Sequence, residues 1–584
     1  MTASNETTVG GGGGIVIPEA KAHLEHASEA ELDAAVQVVG DNAQRWVELS
    51  IPDRLALIDE TINSVVDTSE RWADLAMKHK GIQPGSAYEG EDMSWGPMLV
   101  ARTLRLLKKT LRDLDKHGEV KLPGKPYTRD DGQVVVPVFP PTLVDRALFP
   151  MVTGELWLEP EVTIATIETA RAYKVKQPGR VCFVLGAGNV TSIGAIDVLQ
   201  KLFIEDQVCV LKMNPANEWI GPIIKLALAP FIREGYVRVV FGGVSQGAYL
   251  CEHQGVDTLH MTGSDKTHDA IVFGVGEEGQ RRKIADEPIN TKPFSTELGN
   301  VSPVIVVPGP WSDDDLEYQA KQAHGMINAN GGFNCGSMRV LLTHESWDQR
   351  ELFLVQLKLA MQKAEDRTAF YPGARDRWET FTKAHPDAIH YGNDVGANAP
   401  ITLLPELDPS VTDDIAFRVE SFNGVFGEAP IAAADAAEYL AKATAFCNDT
   451  LWGTLGVTII VHPKSLKDPK VKAALEAAIA DLRYGAIAVN IWSGLAYGLG
   501  TTIWGAFPGH VRNDIQTGQG WVRNTLMIEK PQKCVIRAPW KLGKKPPTSY
   551  DFSTMGSLAR RLVQVEAYGD LTQLPGIVLD GIKA

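Results

Sequence analysis

Between residues 178 and 300, short apolar runs alternate with stretches of helical spacing, and this restricts the possible folds more than any other feature of the chain. The runs are Val181 to Leu185, Val208 to Leu211, Val237 to Phe241, Thr258 to Met261 and Pro303 to Val307. Strands separated by helices pair in parallel through crossover connections and build a doubly wound sheet. Such sheets bind ligands at the carboxyl ends of their strands, so the loops after these runs are where chemistry is expected. A second α/β region spans about 310 to 510. There, helical stretches such as Glu351 to Lys363 and Asp468 to Leu482 alternate with runs at Val340 to Leu342, Val457 to Val461 and Ala486 to Val489. The pattern predicts two doubly wound α/β domains.

The flanking regions differ in texture. Residues 15 to 120 read as helical, opening with a capping pattern at Ser28 and Glu31. Trp95 to Lys116 has an apolar helical face, with Arg102, Arg105, Lys108 and Lys109 expected on the solvated side. Prolines, glycines and β-branched runs between Leu122 and Pro150 predict an insertion or an extended strand pair. Thr163 to Val175 predicts an exposed ribbon, and Leu526 to Arg537 a strand that adds an edge or crosses to another subunit. A short helix is expected near Ser557 to Val565.

Composition excludes several classes. A net charge of −15 leaves no basic excess to neutralise phosphates, which argues against nucleic acid or an anionic membrane as partner. Six scattered cysteines suit neither a disulfide framework nor a zinc ribbon, so no metal is expected and a reducing, cytoplasmic setting is. Met1 to Gly14 has no lysine, arginine or apolar core, unlike a secretory signal, and its five-glycine run reads as a disordered leader. Tyr484 to Phe507 has no formal charge, yet its glycines and polar residues predict buried strand and loop rather than a membrane span.

The candidate chemistry lies in the predicted loops. After Leu185 comes Gly186-Ala187-Gly188-Asn189-Val190-Thr191, an incomplete dinucleotide fingerprint with Thr191 in place of the third glycine. Glu205 and Asp206 imitate a ribose-binding carboxylate but precede the next strand, so they read as caps. Lys212 ends the second strand, where a lysine reaches ribose hydroxyls or phosphate, or simply solvent. Gly243 and Gly247, then Thr262-Gly263-Ser264, place glycine and hydroxyl at helix starts that attract phosphate. Glu297, in Glu297-Leu298-Gly299-Asn300, is either a general base or an ordinary cap. Cys335, in Asn330-Gly331-Gly332-Phe333-Asn334-Cys335-Gly336-Ser337, has small neighbours that admit a carbonyl and N–H groups that hold an oxyanion. From that stretch alone, a nucleophile and a glycine-rich turn are equally good readings.

Together and in order, these motifs resemble the aldehyde dehydrogenase superfamily, from about residue 25 to 540 and most clearly between Pro178 and Leu342. The resemblance implies a catalytic cysteine at Cys335, a general base at Glu297 and an oxyanion-binding amide at Asn189. It implies a cofactor site at Leu185, Gly186, Gly188, Lys212, Gly243, Gly247, Thr262, Gly263, Ser264, Leu298 and Gly299. Glu420 and Phe422 fall on the Glu-x-Phe element that holds the nicotinamide ribose. The implied cofactor is NAD or NADP, and the implied reaction oxidises an aldehyde to a carboxylic acid through a thiohemiacetal and a thioester. Alternatives are a CoA-acylating relative or acyl-CoA reductase, and an inactive nucleotide-binding homologue.

The sequence departs from the family pattern at several points. Phe333 stands where glutamine is usual, Arg339 comes one residue early, Asn300 replaces a glycine, and the loop after Lys212 is longer. Trp492, Tyr497, Trp504 and Phe507 either line a substrate tunnel or pack the core. The implied organisation is a leader (1–20), a nucleotide-binding domain (21–160 and 176–300, with an insertion about 122–150) and a catalytic domain (301–510). An oligomerisation ribbon (161–175 and 520–540) and a C-terminal extension (541–584) complete it, with a homodimer or homotetramer expected.

Overall fold

The computed structural model describes residues 24–394 and 398–584; the expected leader lies outside the described residues. Two mixed sheets carry the α/β architecture. The smaller has six strands, in the order Gly518–Gln519, Phe294–Glu297, Thr258–Thr262, Val181–Leu185, Val208–Lys212 and Val237–Val240. All pair in parallel except the first, which runs antiparallel to Phe294–Glu297. The carboxyl ends of the parallel strands, with Lys212, Thr262 and Glu297 as terminal residues, therefore share one edge.

The larger sheet has eleven strands. At its centre, Ala486–Val489, Gly456–Ile460, Ser302–Val306, Met338–His344 and Val425–Ile431 run parallel. These strands are mostly apolar and almost wholly buried, as sheets covered on both faces require, and the charged side chains within them, Arg339 and Glu428, are buried with partners. Two further cores lie beneath them and beneath the smaller sheet.

Two ribbon expectations need correction. Residues 163 to 175 form no strand pair. A 3-10 turn at Ile164–Thr166, capped by Thr163, and a short helix at Arg171–Lys174 occupy them, with one bridge from Thr169 to Ile528. The threonines there bond their own backbone, which competes with a ladder. Residues 122–150 take the second of their two expected readings, a strand pair rather than an insertion in the nucleotide-binding half: Tyr127–Thr128 and Val134–Phe139 pair antiparallel, and Thr153–Leu158 continues the ladder into the larger sheet. Pro531–Arg537 sits inside that sheet, antiparallel to Thr153–Leu158 and parallel to Ala486–Val489, rather than at an edge.

The expected helices are present: Glu29–Glu48, with the Ser28/Glu31 capping box, Ile51–Lys80, and Leu99–His117. The basic stripe on the last is not solvated as expected. Arg102 is 1% exposed and meets Glu566 at 2.6 Å and Asp145 at 2.8 Å, and Arg105 shares both carboxylates. Glu566 lies on Met555–Tyr568, a C-terminal helix that covers this face, so the cations were unreadable as buried without a partner more than 400 positions away. Asp206 binds buried Arg54 at 2.8 Å and Glu205 binds Lys201, a structural use of both acids. Among the described residues, no helix is long and apolar enough to cross a membrane.

Candidate active site

The helix Asp313–Asn328 runs into a tight loop before the strand Met338–His344, and Cys335 sits in that loop. Asn330, Gly331 and Gly332 all take positive φ angles (53°, 66° and 80°), which folds the chain back sharply. The Arg339 guanidinium then binds the carbonyl oxygens of Gly332 (2.7 Å), Asn334 (3.2 Å) and Asn423 from beneath. Phe333 is buried, edge-on to Phe370 at 4.8 Å and stacked on Tyr371. The two departures flanking the cysteine, Phe333 and Arg339, thus hold the loop rather than facing it. On the other side, Trp492 Nε1 donates to the Gly336 carbonyl at 2.7 Å, and Ser302 Oγ donates to the Cys335 carbonyl at 3.2 Å. A β-carbon at Gly336 would lie 2.9 Å from the Trp504 ring, so that position has no room for a side chain.

Glu297, at the carboxyl end of its strand, shares a hydrogen bond with the Cys335 thiol and accepts another from Trp504 Nε1 at 2.9 Å. Burial pushes the Glu297 carboxyl up to about 8; the nearby charges of Asp197 and Glu420 push the same way, and the two hydrogen bonds oppose them. Burial also pushes the Cys335 thiol well above its usual range, reinforced by Glu297 and Glu420. Both groups therefore hold their protons more tightly than they would in water, a nucleophile beside a base.

Asn189 comes to the same place from the smaller sheet. Its Nδ2 donates to the Phe333 carbonyl at 2.9 Å, and a primary amide carries a second N–H. Cys335, Glu297 and Asn189, drawn from three separate segments, are thus brought together.

The remaining candidates line the shared carboxyl edge. The Gly186 N–H binds the Lys212 carbonyl at 3.0 Å, and a side chain at Gly188 would meet Asn214 Oδ1 at 2.8 Å. Leu185 is half-buried at the end of its strand. Lys212 is buried, its Nζ donating to the Gly242 carbonyl at 2.7 Å, and burial lowers it to about 8 against the pull of Glu218. A β-carbon at Gly247 would stand 3.3 Å from Lys212 Cε, and Gly243 precedes the helix Val244–Glu252. Thr262 Oγ1 donates to Asp197 at 3.2 Å, the Gly263 N–H to the Glu297 carbonyl at 3.0 Å, and Ser264 caps the helix Asp265–Phe273. Leu298 is buried, its N–H bound to the Thr517 carbonyl at 2.8 Å. A side chain at Gly299 would collide with Glu420 Oε2 at 2.2 Å. Burial pushes Glu420 up to about 7, opposed by Arg339, and its buried Oε1 has no hydrogen-bond partner. Phe422, at φ 44°, packs on Tyr371 at 5.0 Å.

The four aromatic residues each make a separate contact. Trp504 is buried and serves Glu297; Trp492 is edge-on to Trp95 at 5.6 Å; the Tyr497 ring meets the Arg523 guanidinium at 4.9 Å; and Phe507 lies 5.5 Å from Lys533 Nζ. Asn300 stitches Ser302 Oγ (2.9 Å) to the Gly456 carbonyl (3.2 Å). Sequence reasoning missed Asp197. It faces His260 and Thr262 from the helix Ile193–Phe203, and no local motif marks it. Among the described residues, no group of three or more metal-ligating side chains converges.

Comparison with known proteins points in one direction. The model of the "Aldehyde dehydrogenase family" matches residues 158–369. An aldehyde dehydrogenase of Enchytraeus buchholzi is 28% identical over 170 residues, covering 28% of this chain and 30% of that protein. The 4-trimethylaminobutyraldehyde dehydrogenase of Bos taurus is 30% identical over 186 residues, covering 30% of this chain and 33% of that protein. Each match thus spans about a third of the relative's own length. Among solved structures, an NAD-dependent aldehyde dehydrogenase from Sinorhizobium meliloti superposes with a TM-score of 0.59 at 17% identity, over 88% of this chain and 89% of that one. A glyceraldehyde-3-phosphate dehydrogenase from Methanocaldococcus jannaschii, solved with NADP, gives 0.59 at 14% identity over 90% and 98%.

Proposed function

From the premise that the chain belongs to the aldehyde dehydrogenase superfamily, we propose that it oxidises an aldehyde to a carboxylic acid, using NAD or NADP. The observation that carries this reading is the hydrogen-bonded pair of Cys335 and Glu297, with the Asn189 side chain bound to the loop that carries Cys335.

The residues around the carboxyl edge fit a dinucleotide. Lys212 offers a desolvated ammonium, Gly247 leaves open the space a side chain would fill beside it, and the Glu420 Oε1 acceptor is buried and unpaired. Gly243, Thr262, Gly263 and Ser264 would flank the phosphates; Leu298 and Gly299 would floor the nicotinamide, and Glu420 with Phe422 its ribose. When bound, the nicotinamide supplies the hydride acceptor. Glu218, close enough to Lys212 to raise its proton affinity, is a carboxylate that favours ribose hydroxyls over a 2′-phosphate, so NAD is preferred to NADP in this reading.

The protein's own steps follow from the geometry. Ionised Glu297 takes the thiol proton and passes it to solvent, and the sulfur attacks the aldehyde carbon to form a thiohemiacetal on Cys335. The free N–H of Asn189 and the Cys335 backbone N–H bind its oxygen. At the thioester stage, Glu297 draws a proton from water, whose oxygen attacks the acyl carbon and releases the acid and the Cys335 thiol. Retention of Glu297 supports hydrolysis over transfer to coenzyme A. Formation of NADH from an aldehyde panel, with and without CoA, tests the reading. Activity without CoA that disappears in Cys335→Ala supports it; strict CoA dependence, or activity surviving that change, refutes it.

A further inference from the structure

We infer that Lys80 is a positioning residue for this chemistry, acting through Asn330 on the loop that carries Cys335; the inference rests on the function proposed above. Lys80 is the last residue of the helix Ile51–Lys80 and is 4% exposed. Its Nζ lies 2.6 Å from Asp92 Oδ1 and 2.8 Å from Asn330 Oδ1. An ammonium only donates, so it accepts one orientation of the Asn330 amide: oxygen toward Lys80, nitrogen away. The nitrogen then donates to the Asn189 carbonyl at 3.0 Å and the Phe333 carbonyl at 3.2 Å. That Phe333 carbonyl is the one the Asn189 side chain holds at 2.9 Å. One amide orientation thus ties the main chain of Asn189 to the turn two residues before the nucleophile.

The surroundings keep the strut rigid. The Asn330 N–H is held by Glu91 Oε1 at 3.0 Å, and Glu91 pairs with Arg367 at 2.6 Å. The Lys80 ammonium also stands 5.1 Å from the Phe370 ring, which packs on Phe333. The C-terminal extension backs the segment that carries Glu91 and Asp92. A side chain at Gly90 would meet the Met555 carbonyl at 2.3 Å, and Arg560 binds Glu89 at 3.1 Å. A buried ion pair gives little stability that apolar residues would not give equally. A donor that fixes an amide is a service that apolar residues cannot supply.

The test uses Lys80→Met, which leaves Asp92 unpaired, and Lys80→Met/Asp92→Leu, which removes the whole pair and keeps the site apolar. Turnover of an aldehyde with NAD is read alongside hydrolysis of p-nitrophenyl acetate, which needs Cys335 and the oxyanion pocket but no nicotinamide. In the double variant, folded with a melting temperature near that of the wild type, kcat for both substrates falls on the order of 10- to 100-fold. KM for NAD stays within about twofold, and adding Asn330→Ala brings no further loss, because both changes act through one amide. A folded double variant with wild-type kcat, or losses that multiply with Asn330→Ala, overturns the inference. A wild type that hydrolyses the ester through Cys335 but oxidises no aldehyde overturns the proposed function and leaves the positioning result standing on the ester. A wild type without either activity overturns both.

Discussion

Replacing Glu297 with glutamine removes a buried carboxyl whose proton affinity differs greatly between the folded and unfolded chain. The folded value is about 8 and the reference value 4.5. The folded state therefore holds a proton that the unfolded state has lost between those two pH values, and stability falls as pH rises through that window. The gap corresponds to about 5 kcal/mol in favour of the protonated form. Glutamine keeps the oxygen that accepts from Trp504 and cannot ionise. Denaturant unfolding at about pH 5 and about pH 9 should thus show the wild type losing up to about 5 kcal/mol more stability than Glu297→Gln. The same group sets the rate: wild-type kcat for acid release climbs through about pH 7, is half-maximal near 8 and levels above about 9, while the variant shows no climb and stalls as the acyl-enzyme. Parallel stability curves for the two proteins, or a flat wild-type profile across that range, would refute the reasoning.

Two more outcomes follow from buried charges. Lys212, lowered to about 8 by burial, loses its ammonium as pH rises through that value, so the KM for NAD should climb above about pH 8. In Lys212→Met that climb should vanish and KM should be high throughout, as initial-rate kinetics will show. Glu566→Gln strips a partner from both Arg102 and Arg105 and leaves them short of counter-charge in the core, which should cost about 3–5 kcal/mol in denaturant unfolding. The catalytic parameters of the folded fraction should not change.

What the sequence made legible was mostly local. The alternation of strands and helices placed Lys212, Thr262 and Glu297 at one sheet edge, since strand ends follow from periodicity and their loops from topology. The sharp turn before Cys335 was legible because its glycines admit positive φ, and three successive positive φ angles are what the structure has there, whereas the cysteine's role came only with the family resemblance. Long-range partners were not legible. Arg102 looked solvated because Asp145 and Glu566 lie far along the chain, and no pattern at Lys80 signals that it meets Asn330, 250 residues away. The ribbon was misplaced for a related reason. Threonine-rich 163–175 has strand composition, but its hydroxyls close local turns, and the ladder positions beside Pro531–Arg537 went to Thr153–Leu158.

The central claim is that the sulfur of Cys335 carries the acyl group while Glu297 frees it. Mass spectrometry of Glu297→Gln, quenched after prolonged mixing at about pH 9 with NAD and an aldehyde that the wild type oxidises, tests this directly, because hydroxide then takes the thiol proton slowly in place of Glu297 while no carboxylate activates water. The account predicts one acyl adduct per chain, on the peptide that contains Cys335. Steady turnover with Cys335 unmodified, or an adduct on another residue, would contradict it.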